Sequence, residues 1–555
     1  MVLFSFTQKN LCPSLGHFCF RVMVHVFLPL PALLLFLVLP FSPVDGGRVL
    51  VFPGEYSHWL NMRNIMEELV RRNHSVTVLI PDASPSVNYS SRDAAKFNFL
   101  VFKVPFSRSE LHGTTQEVIR FFMYDFHVSS PLQRFFKVRD WMWRMTDLMV
   151  QQCDSMLKNE QLMATLRDAA FDVVLLDPMV MCGDLVADLL GLPLILSLRF
   201  SFGGVFERHC GHAPAPPSYV PVTPLPYSDR MTVVERLMNT VTYVGTSAMT
   251  ELFWRLTMDR YYSEVKGTPS SVCGTLGNAD IWLIRTFWDL DTPRPTPPNF
   301  KYVGGLHCKP AKKLPEDMEV YVQSSGDAGV VVVSFGSMVT NLTSERADVI
   351  AMALGRIPQK VIWRYSGETP KGLAANIKIY DWIPQNDLLG HPKTRAFVTH
   401  GGTNGLYEAV YHGVPVVGVP LFGDQHYNLA HLTRRTASIV IDFNRLTADE
   451  MTEALHTVIN QPSYRSNMKH LSALHRDQPM TPLNTAVFWV EFVMRHSGAQ
   501  HLRLASHHLN WFQYHSVDTA AFLLLVTATT TALCWAGVRC FLQRCRRRGG
   551  REKND

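Results

Sequence analysis

Residues 382–425 read W-I-P-Q-N-D-L-L-G-H-P-K-T-R-A-F-V-T-H-G-G-T-N-G-L-Y-E-A-V-Y-H-G-V-P-V-V-G-V-P-L-F-G-D-Q. Within this stretch the apolar segment 395–399 predicts a short strand, and the adjacent glycines Gly401 and Gly402 predict a tight turn. Residues 403–412 then predict a helix. The free N–H groups of its first turn, together with the positive end of the helix dipole, favour a bound anion. A diphosphate fits that description.

A second apolar run, residues 414–421, follows the helix directly and predicts the next strand. Its carboxyl end brings Asp424 and Gln425 to the edge of a parallel sheet at which open α/β folds bind ligands. The glycines do not follow the G-x-G-x-x-G spacing of dinucleotide-binding enzymes, which argues against a nicotinamide cofactor.

The first half of the chain predicts a similar sheet. Residues 48–52 and 75–80 are short apolar runs on either side of a helical pattern at 59–72, which indicates a parallel pair of strands with a crossover. His58 lies in the loop after the first strand, and Asp177 ends the later apolar run D-V-V-L-L-D. Both therefore come from carboxyl ends of strands, where a His can accept a proton near neutral pH and a carboxylate can orient it.

The stretch 382–425 resembles the nucleotide-sugar signature of the UDP-glycosyltransferases, and its W-I-P-Q-N-D-L-L-G-H-P-K segment is similar to the animal UDP-glucuronosyltransferases. The resemblance implies an α/β protein of the GT-B fold, with two Rossmann-like parallel-sheet domains facing across a cleft. It implies an inverting transfer of glucuronic acid from UDP-glucuronate to a hydroxyl of a small lipophilic acceptor, giving a β-glucuronide and UDP. Neither a metal nor a cofactor other than this donor is implied.

The family's site residues transfer to matching positions of this sequence. His58 and Asp177 match the catalytic base and its partner. The resemblance assigns the uracil and ribose to Trp382, Gln385 and Glu408, and the diphosphate to Ser337, His400, Gly402, Asn404 and Gly405. It assigns the sugar hydroxyls to Asp424 and Gln425, added positive charge near the phosphates to Arg364, and the glucuronate carboxylate to Arg285. One departure from the family pattern is His426-Tyr427, where related enzymes often have a proline.

Charge argues against a nucleic-acid partner. The chain of 555 residues has a formal charge of +6, and its tail, residues 539–555, contains seven Lys or Arg and two Asp or Glu. The tail therefore accounts for +5, and the remaining residues are nearly neutral.

Two hydrophobic segments predict a membrane protein. Residues 23–39 are typical of a signal peptide, with a retained N-terminal anchor as the alternative. Residues 519–538 carry no charge, are long enough to cross a bilayer, and precede a run of arginines that favours a cytosolic tail. We expect a single-pass type I protein of the endoplasmic reticulum membrane with its body in the lumen. Sequons at Asn73, Asn88 and Asn341 are compatible with that location.

The expected organisation has six parts. They are an N-terminal extension with signal peptide (1–46), an acceptor-binding domain (47–298), a UDP-sugar-binding domain (299–485), an amphipathic juxtamembrane segment (486–518), a transmembrane helix (519–538) and a basic tail (539–555). Five cysteines fall in the body, so at least one stays unpaired within the chain, and their spacing predicts no particular bridge. Residues 106–163 are rich in aromatic and methionine side chains, some of which we expect to line an acceptor pocket.

Other functions remain open from the sequence. The donor could be UDP-glucose or UDP-N-acetylglucosamine, and the chain could be a non-catalytic membrane protein that binds UDP-sugars or lipophiles. The identity of the acceptor and a homo- or hetero-oligomeric state are likewise open.

Overall fold

Two parallel β-sheets organise the protein in the computed structural model, which describes residues 46–89, 92–199, 202–339 and 342–549. The expected signal peptide, the sequon at Asn341 and the end of the basic tail lie outside the described residues. In the described part, the first sheet has the strand order β3-β2-β1-β4-β5-β6-β7 and the second has the order β10-β9-β8-β11-β12-β13. The expected GT-B class, with two Rossmann-like domains, is confirmed. We call the parts around these sheets the first and second domain.

The central strands are rich in Val, Leu and Ile and are largely buried on both faces, as expected for parallel sheets covered by helices, whereas the strands at the edges are partly exposed. The first sheet consists of β1 (Arg48–Phe52), β2 (Ser75–Pro81), β3 (Asn98–Phe102), β4 (Val173–Leu176), β5 (Leu194–Leu198), β6 (Ile281–Ile284) and β7 (Phe300–Tyr302). The second consists of β8 (Val330–Ser334), β9 (Lys360–Arg364), β10 (Ile377–Tyr380), β11 (Thr394–Thr399), β12 (Val416–Gly418) and β13 (Ser438–Val440).

Most helices of the body pack on the faces of the two sheets, whereas the last two, residues 511–514 and 517–549, are exposed. Those up to the end of β7 are α1 (Ser57–Arg71), α2 (Arg108–Arg120), α3 (Pro131–Leu157), α4 (Glu160–Asp168), α5 (Gly183–Leu190), α6 (Val233–Leu256), α7 (Met258–Lys266) and α8 (Val272–Leu276). Those that follow are α9 (Glu316–Gln323), α10 (Ser344–Gly355), α11 (Gln385–Leu389), α12 (Thr403–His412), α13 (Gln425–Arg434), α14 (Ala448–Asn460), α15 (Pro462–Arg476), α16 (Pro482–His496), α17 (Trp511–Tyr514) and α18 (Val517–Gly549).

Two segments that were expected outside the first domain, β7 and α16, belong to it. Strand β7 pairs with β6 although it lies past the expected boundary at residue 298. Helix α16 overlaps the expected juxtamembrane segment, yet Val487, Val490 and Val493 are buried in one core cluster with Val49 of β1 and Met66 of α1. The chain thus returns from the second domain to complete the first before it leaves the body, because the apolar face of α16 is buried only there.

The aromatic-rich stretch 106–163 serves packing at several places. Ile119 and Met123 lie in the core cluster of the second domain, and the ring centroid of Tyr124 lies 5.6 Å from that of Phe443. Other members, such as Phe135, are exposed. Helix α2 and the π-helical turn after it therefore tie the first domain to the second.

Four of the five body cysteines are paired in disulfides. Cys153 is bonded to Cys182 and Cys210 to Cys273, whereas Cys308 is a free thiol. The expectation that one cysteine stays unpaired is met. Within the described chain, one helix is long and apolar enough to cross a membrane, and it lies within α18.

Candidate active site

A cavity of about 630 Å³ lies between the two domains. It opens where strands end: His58 follows β1, Ser337 follows β8 and His400 follows β11, and all three line it. Ligands of open parallel sheets bind at this edge. With the exceptions of Asp177 and Arg285, all the residues that the sequence predicted for the site line this cavity. No aromatic residue of 106–163 is part of its described lining.

His58 and Asp177 form a hydrogen-bonded pair in which the carboxylate is buried and the imidazole is 28% exposed. The Nδ1 atom of His58 lies 2.6 Å from Oδ2 of Asp177, and the backbone N–H of Met179 donates to Oδ1 of the same carboxylate across 3.1 Å. Burial raises the pKa of Asp177, but the charge and hydrogen bond of His58, with smaller contributions from Arg285 and Met179, outweigh it and lower the pKa. The carboxylate is therefore ionised, and Nε2 is the ring nitrogen of His58 left free to accept a proton.

Gly54 makes room for this pair. A Cβ at this position would lie 2.7 Å from Cβ of His58 and 2.9 Å from Oδ2 of Asp177, which is closer than such atoms can approach. The sequence analysis did not find this residue. The signal, a glycine two residues after an apolar strand and four before a histidine, is visible only when the fold is known.

Arg285 lies away from its expected place. The resemblance assigned it to the glucuronate carboxylate, but its side chain is 3% exposed and lies outside the lining of the cavity. Its Nη2 donates to Oδ2 of Asp177 across 3.1 Å. Because the buried carboxylate holds the guanidinium, Arg285 supports the pair from behind. Its expected contact with the donor sugar stays a prediction.

The start of α12 provides an anion site. Gly402 caps the helix, and Ser337, Asn404 and Gly405 line the cavity beside it. The first-turn N–H groups and the helix dipole there favour a phosphate. Asn404 is also held from the first domain, because Nδ2 of Asn61 donates to its Oδ1 across 2.8 Å.

His400 is enclosed between two glycines. A Cβ on Gly336 would lie 2.6 Å from the ring of His400, and one on Gly402 would lie 2.5 Å from it. Burial, together with the charges of Arg199 and Arg364, lowers the pKa of His400 to about 3. The ring is therefore neutral, so His400 can contribute a hydrogen bond to a phosphate but no charge.

Trp382 and Glu408 mark the other end of the cavity. Trp382 is 62% exposed, and the guanidinium of Arg364 lies 4.7 Å from its ring centroid. The Nε2 of Gln385 donates to Oε2 of Glu408 across 2.5 Å. Burial raises the pKa of Glu408 to about 7. An open aromatic face beside a buried carboxylate suits a nucleobase and the hydroxyls of its ribose.

Asp424 and Gln425 lie at the opposite side of the anion site. Oε1 of Gln425 accepts from the backbone N–H groups of Leu421 and Phe422, at 2.7 and 3.0 Å, so its amide nitrogen is the polar atom left for a ligand. Asp424 accepts from Nδ2 of Asn428 across 2.6 Å.

Arg199 of the first domain forms an ion pair with Asp424. The sequence analysis missed Arg199, because nothing local distinguishes an arginine at the end of β5 from a surface residue. At the departure His426-Tyr427, Tyr427 is buried and its hydroxyl donates to Asp291 across 2.6 Å.

Comparisons with known proteins agree with this architecture. Residues 47–552 match the family described as "UDP-glucoronosyl and UDP-glucosyl transferase". The chain is 49% identical to human UDP-glucuronosyltransferase 2A2 over 512 residues, covering 91% of this chain and 94% of that protein. It is 47% identical to mouse UDP-glucuronosyltransferase 2A1, covering 92% and 96%. Among solved structures, the calicheamicin glycosyltransferase CalG4 shares the fold with a TM-score of 0.53 and 18% identity, covering 81% of this chain and 98% of that one.

Proposed function

Because this chain belongs to the family of UDP-glucuronosyl and UDP-glucosyl transferases, we propose that it transfers glucuronic acid from UDP-glucuronate to a hydroxyl of a small lipophilic acceptor. The products are a β-glucuronide and UDP. One observation carries the proposal: the His58–Asp177 pair of the first domain and the anion site at the start of α12 in the second domain meet at one cavity. A base and a leaving-group site on opposite walls suit a displacement at a carbon held between them.

His58 acts as the general base. Its Nε2 takes the proton of the acceptor hydroxyl as that oxygen attacks the anomeric carbon of the donor. Asp177, ionised and hydrogen-bonded to Nδ1, holds the reactive tautomer and stabilises the imidazolium that forms. Attack from the face opposite UDP inverts the carbon, so an α-linked donor gives a β-linked product.

The second domain holds the donor. Trp382 stacks on the uracil, while Glu408, with Gln385 hydrogen-bonded to it, accepts the ribose hydroxyls. The diphosphate lies at the start of α12, against Ser337, His400, Gly402, Asn404 and Gly405, with Arg364 adding positive charge. Negative charge that develops on the departing UDP is stabilised there by the helix N-terminus.

Asp424 and Gln425 bind the sugar hydroxyls, the former as an acceptor and the latter through its amide nitrogen. The mechanism calls for no cofactor besides the donor, since the base and the anion site are supplied by the chain.

An endoplasmic reticulum location with a lumenal body is part of the proposal. The first domain has two disulfides, and disulfides form and persist in oxidising compartments such as the lumen, which supports this location. Helix α18 spans the bilayer, and the arginines at its end, including Arg544 and Arg546, favour the cytosolic side. We propose no particular acceptor or oligomeric state.

The test is a donor and acceptor screen in membranes that contain the full chain. UDP release is measured with UDP-glucuronate, UDP-glucose and UDP-N-acetylglucosamine against phenols, steroids and bile acids. We expect UDP-glucuronate to be the preferred donor with at least one acceptor. A neutral sugar as the preferred donor would contradict the glucuronate assignment, and binding of UDP without turnover of any acceptor would contradict the transferase assignment.

A further inference from the structure

Four positively charged side chains line the described part of the cavity and could contact the donor. Within the described part of the chain, the Lys and Arg side chains that line it are Arg63, Arg199, Lys309 and Arg364. UDP-glucuronate differs from UDP-glucose by one carboxylate in place of a CH₂OH group. An arginine is the side chain best suited to a carboxylate, because its guanidinium can donate two parallel hydrogen bonds.

Two of these cations lie toward the nucleoside. Arg364 donates to the backbone oxygen of Gly336 across 2.6 Å and lies over the ring of Trp382, where the uracil is placed. Lys309 is close enough to Glu408 to lower the pKa of that carboxyl by its charge, which puts it near the ribose.

Arg63 is already paired within the first domain. Its Nη2 lies 2.8 Å from Oδ1 of Asp93 and 3.3 Å from Oε1 of Glu67. Two carboxylates compensate its charge, so an incoming anion has little to gain from it.

The fourth of these cations, Arg199, lies beside Asp424, the residue assigned to the sugar hydroxyls. Its side chain is 16% exposed, and its described counter-ion is Asp424 of the second domain. Asp424 is fixed by Asn428, so the carboxylate stays in place while the arginine comes from the opposite wall. A guanidinium has five N–H donors, and one carboxylate oxygen leaves most of them for a ligand in the cavity.

The surroundings of Arg199 favour an additional anion. Burial, together with the nearby charge of Arg285, lowers the pKa of Arg199 to about 9. Asp424 is the one described carboxylate paired with Arg199, and the positive charge of Arg285 lies nearby. Since Asp177 is already paired with Arg285, it does not also neutralise the charge of Arg199. A second carboxylate at this place would relieve that imbalance.

We propose that Arg199 recognises the carboxylate of the donor sugar and so selects a uronic acid over a neutral hexose. This inference rests on the proposed use of UDP-glucuronate. When the donor binds, Arg199 shares its N–H donors between the sugar carboxylate and Oδ2 of Asp424. The carboxylate of Asp424 stays in place and accepts from the sugar hydroxyls through its other oxygen. Because Arg199 belongs to the first domain and the diphosphate site to the second, a charged sugar also holds the two walls together.

The experiment compares the wild type with Arg199→Met and Arg199→Lys in the full-length protein. The values of kcat and KM are measured for UDP-glucuronate and UDP-glucose with one phenol, and the Kd of UDP is measured separately. We expect Arg199→Met to lower kcat/KM for UDP-glucuronate about 10- to 100-fold, as for loss of a charge-assisted hydrogen bond, and to leave that for UDP-glucose within about 3-fold. Arg199→Lys, which keeps the charge but loses the planar fork, is expected to recover part of the loss.

Arg63→Met is the matched control, since it also removes one positive charge from the cavity wall. It is expected to keep the donor ratio of the wild type. The Kd of UDP reports on folding, because UDP lacks the sugar and its site lies in the second domain. It should stay within about 3-fold of the wild-type value in all variants, because Arg199 acts on His400 of that site only through its charge.

The outcomes separate the two proposals. A wild type that uses UDP-glucuronate, with an unchanged donor ratio in Arg199→Met, overturns the role of Arg199 and leaves the proposed function standing. A wild type that prefers UDP-glucose overturns both. If Arg199→Met loses UDP binding, the test moves to Arg199→Lys. The quantity compared is then the ratio of kcat/KM for UDP-glucuronate to kcat/KM for UDP-glucose. If this ratio and both kcat/KM values equal those of the wild type, the guanidinium fork does not recognise the carboxylate.

Discussion

Asp177 lies behind His58, with its Oδ2 atom 2.6 Å from Nδ1 of the imidazole and no exposed surface of its own. His58 lies in the first turn of α1, after β1, and Asp177 directly follows β4, 119 positions further along the chain. The carboxylate therefore has the place of an orienting group and cannot contact substrate itself.

The change Asp177→Asn tests this relationship. The amide keeps the size of the side chain but removes its charge, so it no longer stabilises the imidazolium and can favour the wrong tautomer of His58. We expect kcat to fall by roughly 10²- to 10⁴-fold with little change in the Kd of UDP. Steady-state kinetics with a phenol acceptor measure the effect. An activity near that of the wild type would show that the carboxylate is structural.

The raised pKa of Glu408 predicts a pH dependence of UDP binding. The folded pKa of about 7 means that the free protein holds this proton below neutral pH, whereas ribose hydroxyls donate best to the ionised carboxylate. Affinity is therefore expected to rise with pH. Since about a tenth of the groups are ionised one unit below the pKa, we expect the Kd of UDP near pH 6 to be up to about 10-fold weaker than above pH 8.

Glu408→Gln provides the control, because UDP itself also titrates in this range while glutamine does not. Calorimetric Kd values from pH 6 to 8.5 should show a steeper dependence in the wild type than in the variant. Parallel curves would contradict a titrating Glu408 in the site.

Trp382 is expected to bind the uracil through its open face. Stacking of a base on an aromatic side chain contributes about 1–3 kcal/mol, so Trp382→Ala should weaken UDP binding by about 5- to 150-fold. Trp382→Phe keeps a ring and should lose less. Because the uracil is remote from the reacting carbon, saturating donor should restore most of kcat in both variants. Equal Kd values for wild type and Trp382→Ala would contradict this placement.

Much of the fold is encoded locally and was predictable for that reason. The strand at 48–52 and the helix at 403–412 have the predicted bounds, since an apolar run specifies the strand and a glycine turn specifies the start of the helix. The strand predicted at 414–421 is shorter, because only Val416–Gly418 finds partners in the neighbouring strands.

What depends on distant segments was not predictable. The pairing of the cysteines and the burial of α16 against the first domain require the folded chain. The ion pairs of Arg199 with Asp424 and of Arg285 with Asp177 also join residues that are far apart in the sequence. A motif tells which residue types a site uses, but an ion pair forms between whichever charges the two domains bring within reach.

The burial of α16 in the first domain leads to a prediction about C-terminal truncation. Val487, Val490 and Val493 are fully buried against the first domain, and each such side chain contributes about 1.5–3 kcal/mol. A chain that ends after residue 509 keeps α16 and should fold. One that ends after residue 481 is expected to lose roughly 5 kcal/mol or more, a large share of the stability of a typical domain. Thermal unfolding of the two proteins measures the difference, and equal Tm values would contradict the role of α16.

The central claim is that His58 removes the proton of the acceptor hydroxyl while the second domain holds the UDP-sugar. The most direct measurement is UDP release from UDP-glucuronate and a phenol by His58→Ala, with the Kd of UDP determined on the same preparation. We predict a loss of at least about 10²-fold in kcat and a Kd within about 2-fold of that of the wild type. Turnover equal to that of the wild type, with UDP still bound, would contradict the claim.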